Sequence, residues 1–343
     1  MDGQQHWMVT LQGIFYPTLA AVGIPSNILT FLVFWKRNCL LSRSSAFYLM
    51  AIAAADTAVL VLIVVLELTL KYHVEQPYWS REPWCSLRDI FNYGAYNAST
   101  WLVVGLTVER FAAIRASGVR AWLCSPRCAA RAIGAIVLLG HLCAVPYYWS
   151  NRSVYSERDR RWACVYSEHA GRPYVHTLVW FQTALVFVVP FVIIFVLNGL
   201  TLRLIAHSNR VRAASVAAVA TVSAKTGPGA WKALHLLHPR RRKSVVLLVA
   251  VSMSFTLLSI TRFVTQVVLR TTDFYTVDRD DYSLRVNIAA DVGTMLSLSN
   301  AAINMLLHAC TQPRFRREVA ACVRLAFSRT SRPCAALTAG RRT

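Results

Sequence analysis

The sequence has little charge for its length, and acidic residues are few. Asp, Glu, Lys and Arg make up 15% of the 343 residues, whereas soluble domains carry about 25%. Sixteen acidic residues stand against 37 basic ones, which gives a formal net charge of +21. Because hydrophobic residues fill 55% of the chain, we expect a membrane protein of one domain with no appended globular module.

The sequence also lacks the signatures of several functional classes. It contains no metal-ligand cluster, no glycine-rich nucleotide loop and no nucleophile beside a base, so neither an enzyme nor an organic cofactor is expected. It shows neither internal repeats nor broken apolar segments, which are common in transporters. The first ten residues have no basic start, so we expect no cleavable signal peptide.

The chain has instead seven long apolar stretches. Each holds about 20 or more mostly uncharged residues, enough for a helix to cross ~30 Å of hydrocarbon. Lipid offers backbone amides no hydrogen-bond partner, so each stretch must be helical. The sequence therefore predicts an all-α membrane protein, a seven-transmembrane helix bundle. The predicted spans are 11–35, 44–70, 86–110, 129–149, 174–202, 244–269 and 284–309.

Basic residues concentrate on one side of these spans. The connections at 36–43, 111–131, 203–243 and 311–343 hold 24 Lys and Arg residues, and the alternate connections hold 11. Because basic loops stay in the cytoplasm, the N-terminus is predicted to lie outside and the C-terminus inside. The basic face suits acidic membrane lipids or an acidic partner, and nucleic acid is not expected. The predicted divisions are 1–10 extracellular, 11–310 membrane-spanning and 311–343 cytoplasmic.

Two of the nine cysteines fall on the predicted outer side. Cys85 and Cys164 would share an oxidising compartment, where they should form a disulfide between the third helix and the loop at 150–172. The same loop contains a sequon that begins at Asn151, a predicted glycosylation site. A second sequon, which begins at Asn97, is discounted because it lies inside a predicted helix.

Several polar side chains lie within the predicted spans, where an ionisable group costs about 2.5–3.5 kcal/mol to insert. Asp56 stands in the middle of the second span. The polar residues at comparable depths in other spans are Ser99, Asn300, Asn304 and Asn27. These side chains predict a buried polar cluster with two open interpretations. It either binds Na⁺ through Asp56 and neighbouring oxygens, or it is hydrogen-bonded packing without an ion.

Charged residues nearer the outside form a second group. Two acids and one base, Glu67, Asp291 and Arg262, lie inside predicted helices. If they face a shared cavity, they would bind the two ends of a zwitterion; the alternative is a mutual salt bridge. Aromatic residues such as Trp180 lie at similar depth, either in the core or along an apolar pocket.

The triplet Glu109-Arg110-Phe111 closes the third span at its inner end. Such a pair is either a simple charge couple, worth under about 1 kcal/mol when exposed, or a latch that releases Arg110 to contact a partner. The sequence chemistry leaves both interpretations open.

Together these residues and their spacing resemble the rhodopsin-like (class A) G-protein-coupled receptors over about 11–325. That resemblance implies a plasma-membrane receptor for an extracellular small molecule or peptide, with Glu109, Arg110 and Phe111 at the heterotrimeric G-protein interface. It also implies a short cytoplasmic amphipathic eighth helix, in which Cys322 is either palmitoylated or an inert thiol. Further matching positions are Gly23 to Asn27, Leu49 to Asp56, Cys85 with Cys164, Pro190, Phe255, Asn304 and Pro313 to Arg317.

Within that class the chain is most similar to the orphan-type subgroup that answers to tryptophan and phenylalanine. The local likeness includes Val145 to Trp149 and the run Val175 to Asn198. The resemblance implies Gq-type coupling and places Arg262 at the ligand-contacting arginine of helix six. The resemblance also places Asn92 and Thr294 among the ligand contacts, where they replace the subgroup's helix-three acid and helix-seven asparagine. Glu67 or Asp291 would therefore have to hold a ligand ammonium.

Several switch positions depart from the family pattern. Ser259 and Thr261 stand where helix six usually has Trp and Pro, and Met305 and His308 replace the Pro and Tyr of helix seven. Without the proline, helix six should bend less. We therefore expect the basal signalling activity to be either higher or lower than is usual for the family. The alternative is a ligand-binding decoy or scaffold that does not signal through G-proteins.

Overall fold

The structure is a computed structural model of the chain, and it describes most of the 343 residues. Eight helices are found among the described residues, and seven of them form the bundle that the sequence predicts. The described ranges are 6–36, 42–70, 78–114, 124–157, 160–167, 171–223, 239–271, 281–311 and 313–330.

Each predicted span corresponds to one helix, and most helices extend beyond the predicted bounds. The fourth helix is the main exception, because it ends at Leu142, before the predicted end at 149, and a short 3-10 helix follows at Val145–Trp149. α2 and α5 each contain a wider, π-helical stretch, at Leu60–Thr69 and Ala184–Val188. The helices are α1 (Trp7–Lys36), α2 (Arg43–Val59, continued through Leu60–Thr69), α3 (Trp84–Ile114), α4 (Pro126–Leu142), α5 (Arg172–Thr183, Ala184–Val188 and Val189–Ser223), α6 (Pro239–Thr271), α7 (Arg285–Thr311) and α8 (Pro313–Thr330).

The helix ends follow local sequence signals. Ser42 caps α2 by accepting a hydrogen bond from the Ser45 amide, and Ser125 caps α4 by accepting one from the Cys128 amide. α1 begins at Trp7, so four residues of the segment predicted as an extracellular tail are helical. α5 continues to Ser223 because its Ala-rich run extends the helix, as its composition indicates.

Five segments among the described residues are long and apolar enough to span a membrane by composition alone. They belong to α1, α2, α4, α5 and α6. α3 and α7 contain more polar residues, and many of these are buried within the bundle. A helix surrounded by protein can carry polar groups that lipid would exclude, which is why hydropathy underestimates these two.

The long loop between α4 and α5 forms a β-hairpin, which the sequence did not indicate. β1 (Asn151–Ser156) pairs antiparallel with β2 (Arg161–Tyr166), and Ser153 lies opposite Cys164. The predicted Cys85–Cys164 disulfide is present, with its Cα atoms 5.6 Å apart. We call the end of the bundle that holds this bond the disulfide end, and the opposite end the Arg110 end.

Two glycines bring helices unusually close together around α3 and α6. A Cβ on Gly293 of α7 would lie 2.8 Å from the backbone nitrogen of Arg262, so α7 rests directly on α6 there. A Cβ on Gly140 of α4 would lie 3.2 Å from the Ala98 nitrogen, which sets α4 against α3. Both contacts position side chains of the candidate site.

The eighth helix is anchored by aromatic packing. Phe315 of α8 is fully buried, with its ring centroid 5.4 Å from that of Phe34 and 5.5 Å from that of His308. Phe315 belongs to the larger of two apolar clusters, which includes residues of α1 through α6. The smaller cluster joins α1, α2, α3 and α7 and contains Met8, Leu60 and Met295.

Candidate ligand-binding and signal-transmission sites

Arg262 places a positive charge between three helices. Its guanidinium carbon lies 5.1 Å from the ring centroid of Tyr96 on α3, a cation–π contact. The Tyr96 hydroxyl hydrogen-bonds Ser297 of α7 at 2.5 Å, and Ser297 lies 3.4 Å from the Ser259 hydroxyl of α6. No ion pair found among the described residues includes Arg262. Its charge is therefore available to an anionic group.

Glu67 is held by partners other than Arg262. The Asn92 amide donates to its carboxylate at 2.5 Å, and Arg88 lies 3.9 Å from its other oxygen. Arg88 also pairs with Asp89, nitrogen to oxygen at 3.2 Å. Asn92, which the sequence analysis placed among the ligand contacts, is buried and supports Glu67. Sequence reasoning misses Arg88 and Asp89, although two adjacent charges at the start of a span were a visible signal.

Asp291 lies in a polar contact between α1 and α7. It accepts hydrogen bonds from the Gln12 amide and the Tyr282 hydroxyl, both at 2.8 Å. The His6 ring stacks on Tyr282, with centroids 5.1 Å apart. The three charged residues predicted to share a cavity thus have three different sets of neighbours, and the predicted mutual salt bridge is not among the ion pairs found in the described residues.

Thr294 and Trp180 make hydrogen bonds within their own helices. The Thr294 hydroxyl donates to the Ala290 carbonyl at 2.9 Å, and the Trp180 indole donates to His176 at 3.1 Å. Both side chains are half-buried. These bonds do not connect either residue to Arg262, so their role in ligand binding stays a prediction.

Two buried amides join α3, α4 and α5, and sequence reasoning misses this pair as well. Asn97 is fully buried and donates to the Gly140 carbonyl at 3.0 Å. The Gln182 amide donates to the Asn97 side-chain oxygen at 2.7 Å. A glutamine in the apolar run of α5 was the available signal. Burial also confirms that the sequon beginning at Asn97 is inaccessible.

Asn151 connects the β-hairpin to α3. Its side-chain nitrogen donates to Asp89 at 2.5 Å, and the residue is 8% exposed. An N-linked glycan would be attached to that same nitrogen. Attachment replaces one of the two hydrogens on that nitrogen, so the burial of the side chain, rather than its bond to Asp89, opposes the predicted glycan. Glycosylation of Asn151 stays a prediction.

The predicted polar cluster assembles around Asp56 in the bundle interior. Ser99 donates to one carboxylate oxygen at 2.5 Å and Asn304 to the other at 2.6 Å. Asn27 donates to the Ala301 carbonyl at 2.6 Å. The Oδ1 atoms of Asn27, Asn300 and Asn304 are buried without a hydrogen-bond partner among the described residues. The donor set is oxygen-rich, as hard cations require.

At the Arg110 end, the Glu109–Arg110 pair is tied to the start of α2. The Arg110 Nε donates to Glu109 at 2.6 Å, and its Nη2 donates to the Ser42 hydroxyl at 2.7 Å and to Glu109 at 3.2 Å. Ser44 donates to Glu109 at 2.5 Å. Phe111 is half-buried beside the pair. Because Glu109 is 3% exposed, the pair is more than an exposed charge couple.

Residues at and near the altered switch positions contact neighbouring helices. Asn198 of α5 donates to Ser252 of α6 at 2.7 Å, and Ser259 is fully buried. His308 packs edge-on against Phe34 of α1, with centroids 5.3 Å apart. Cys322, the predicted palmitoylation site, is half-buried in α8 against the larger apolar cluster.

A seven-helix bundle with a disulfide at one end and a buried acid–arginine pair at the other defines a seven-transmembrane receptor. The model of the family described as "7 transmembrane receptor (rhodopsin family)" matches residues 26–307. The chain belongs to this family. Its members are receptors rather than enzymes, and membership implies an extracellular ligand and coupling to a G-protein.

Two known proteins illustrate the likeness. The chain is 26% identical over 328 residues to "Probable G-protein coupled receptor 142" of Mus musculus, which covers 93% of this chain and 76% of that protein. The crystal structure of squid rhodopsin superposes with a TM-score of 0.70 at 14% identity and covers 96% of this chain and 89% of the other. At 14% identity, the likeness to squid rhodopsin shows the fold alone.

Proposed function

We propose that this receptor binds a free aromatic amino acid at the disulfide end and activates a Gq-type G-protein at the Arg110 end. In this proposal the disulfide end faces outside the cell and the C-terminus lies in the cytoplasm of a plasma-membrane receptor. The 24 basic residues of the connections on the Arg110 side support this orientation. The resemblance to the aromatic-amino-acid subgroup supports the ligand and the Gq coupling.

The proposed ligand depends mainly on Arg262. A planar guanidinium binds a carboxylate through two parallel hydrogen bonds. Arg262 has an aromatic neighbour, Tyr96, and no ion pair among the described residues. Two more aromatic rings, those of Tyr93 and Tyr147, stack with centroids 4.1 Å apart on the α4 side of α3. A ligand with a carboxylate and a ring suits these surroundings.

We assign the ligand ammonium to Asp291 rather than to Glu67. Asp291 lies on α7, the helix that rests on the Arg262 backbone at Gly293. Gln12 and Tyr282, which donate hydrogen bonds to Asp291, are neutral. Glu67 lies on α2 and is already engaged by Asn92 and Arg88.

We propose Na⁺ as an allosteric ion at Asp56. Its carboxylate and the Ser99 hydroxyl would supply charged and neutral oxygens. The buried amide oxygen of Asn304, whose nitrogen donates to Asp56, supports an ion, because a buried acceptor with no donor among the described residues is costly unless something binds it. A bound cation would neutralise a carboxylate that is 1% exposed.

Activation would follow from a shift between two states of the bundle. In the resting state Ser42 and Glu109 hold Arg110. Agonist binding at Arg262 would move α6 outward and release Arg110 toward the G-protein. The Asn198–Ser252 contact between α5 and α6 is in position to oppose that movement.

Cells that express the receptor with a reporter for each G-protein family test this proposal. L-tryptophan and L-phenylalanine should raise intracellular calcium, and Arg262→Ala should abolish the response. Arg285→Ala, which removes an exposed arginine at the start of α7, should leave it intact. A response to short amidated peptides alone would replace the ligand assignment.

The second candidate is a decoy or scaffold that binds ligand without signalling. Ser259 and Thr261 favour it, because the bulky indole and the helix-bending proline of the family pattern are missing from α6. Ligand binding with silence across all G-protein reporters would establish this function instead.

A further inference from the structure

We propose that Gln182 reads a hydrogen-bond donor on the ring of the ligand, so that the receptor prefers an indole N–H over an aromatic ring without one. This inference rests on the proposed function, since it assigns a contact to the aromatic end of the same ligand. Gln182 lies on α5, away from the charged residues that would hold the amino-acid group.

The orientation of the Gln182 amide is fixed by a backbone carbonyl. The Gly140 carbonyl can only accept, so Asn97 must turn its amide nitrogen toward it, at 3.0 Å. That leaves the Asn97 oxygen to face Gln182, which must then present its own nitrogen, at 2.7 Å. The Gln182 oxygen Oε1 is consequently directed away from Asn97.

Oε1 of Gln182 is a buried acceptor that receives no hydrogen bond from the part of the chain that the structure describes. The residue is 9% exposed, and Oε1 has no hydrogen-bond partner among the described residues. Leaving such a group unsatisfied is unfavourable, so native structures supply a protein donor, a water or a ligand. The adjacent Phe181 is exposed on the outer surface of the bundle, whereas Gln182 faces inward.

The position of this acceptor matches the proposed ligand. Arg262 contacts Tyr96 of α3, and Gln182 contacts Asn97, the next residue along the same helix. Successive residues on a helix point about 100° apart, so Arg262 and Gln182 contact neighbouring faces of α3 at the same depth. A ligand whose carboxylate lies on Arg262 would extend its ring along the surface of α3 toward Gln182.

The neighbouring aromatic residues support this position for the ligand ring. Phe187 lies five residues after Gln182, one turn farther along the π-helical stretch of α5. Its ring centroid is 5.9 Å from that of Phe263, the residue after Arg262 on α6. The acceptor therefore lies about one turn closer to the disulfide end than an aromatic contact between α5 and α6. The apolar ring of the ligand would be enclosed there.

The test compares L-tryptophan with 3-benzothienyl-L-alanine, which has the same shape but carries sulfur in place of the ring N–H. Potency is measured for the full-length receptor in a calcium assay. The wild type should prefer L-tryptophan by about tenfold or more, the usual penalty for leaving a buried acceptor without its donor. Gln182→Met should reduce that ratio to about one.

Gln12→Met is the matched control, because Gln12 is the buried glutamine that contacts Asp291. This change alters the amino-acid end of the site, so both potencies can fall while their ratio stays as in the wild type. A wild-type ratio near one, which needs no variant, would overturn the inference and leave a bound water as the partner of Oε1. An unchanged ratio in a well-expressed Gln182→Met receptor would overturn it too. If neither amino acid binds or activates the receptor, the proposed function fails, and this inference fails with it.

Discussion

The Arg110 guanidinium donates to the hydroxyl of Ser42, the residue that caps α2, at a distance of 2.7 Å. This contact extends the Glu109–Arg110 pair from one helix to two. If Glu109-Arg110-Phe111 acts as a latch, Ser42 at the start of α2 is therefore the residue that holds Arg110. Release of Arg110 requires this bond to break.

Replacement of Ser42 by glycine should raise basal signalling. The change removes the hydroxyl that holds Arg110, while glycine at a helix cap costs only a few tenths of a kcal/mol relative to serine. Basal inositol phosphate production at matched surface expression measures the effect. Ser26→Ala is the control for hydroxyl loss, since the bond found for the Ser26 hydroxyl among the described residues goes to Val22 of its own helix. Equal basal activity in the wild type and Ser42→Gly would show that Ser42 does not restrain Arg110.

Asp56→Asn should remove the effect of sodium on agonist affinity. The substitution deletes the one carboxylate of the cluster that Ser99 and Asn304 surround. Agonist affinity is measured in NaCl and in an equal concentration of N-methylglucamine chloride. Asp281→Asn, which alters an exposed acid before α7, should keep the sodium effect. A wild-type receptor indifferent to sodium would support hydrogen-bonded packing instead.

Gly293→Ala should destabilise the receptor and lower agonist potency together. The new Cβ would lie 2.8 Å from the Arg262 nitrogen and 3.0 Å from its Cα atom, so α6 and α7 must move apart. Overpacking of this kind costs about 1–3 kcal/mol. Thermal stability of the detergent-solubilised receptor measures it. Gly134→Ala, where a Cβ meets nothing within 4 Å, should be neutral or slightly stabilising. Identical melting of the two variants would contradict the close approach at Gly293.

Treatment with a glycosidase that removes N-linked glycans should leave the electrophoretic mobility of the receptor unchanged. The two sequons begin at Asn97 and Asn151. Asn97 is fully buried, and Asn151 is 8% exposed with its amide nitrogen directed at Asp89. A mobility shift in the wild type that disappears in Ser153→Ala would show that Asn151 is modified and that its side chain reaches solvent.

Much of the fold can be predicted from the sequence, because it depends on the lengths and positions of segments along the chain. Helix length, apolar runs and the two outer cysteines predict the bundle and the Cys85–Cys164 bond. Asp56, Ser99 and Asn304 were grouped correctly because their depths in the membrane follow from their positions along each span. Depth alone does not place Asn300 or Asn27 against the carboxylate, and the hydrogen bonds found for Asn27 go elsewhere.

The rest of the candidate site depends on how each helix is rotated about its axis and on how closely neighbouring helices approach each other. No local sequence pattern encodes either property. Glu67, Asp291 and Arg262 lie at similar depths, but their different partners depend on how each helix is turned. The π-helical stretches of α2 and α5 change that rotation, and no residue type signals them. The Gln182–Asn97 pair depends on Gly140, whose missing Cβ brings α4 against α3.

The central claim is that Arg262 binds the carboxylate of an amino-acid ligand. The most direct measurement compares the potencies of L-tryptophan and L-tryptophan amide on the wild type and on Arg262→Gln. The wild type should prefer the free acid by about tenfold or more, because a hydrogen bond between charged groups contributes about 1.5–3 kcal/mol. Arg262→Gln should lose that preference through weaker binding of the acid. A preference of the same size in Arg262→Gln would contradict the account.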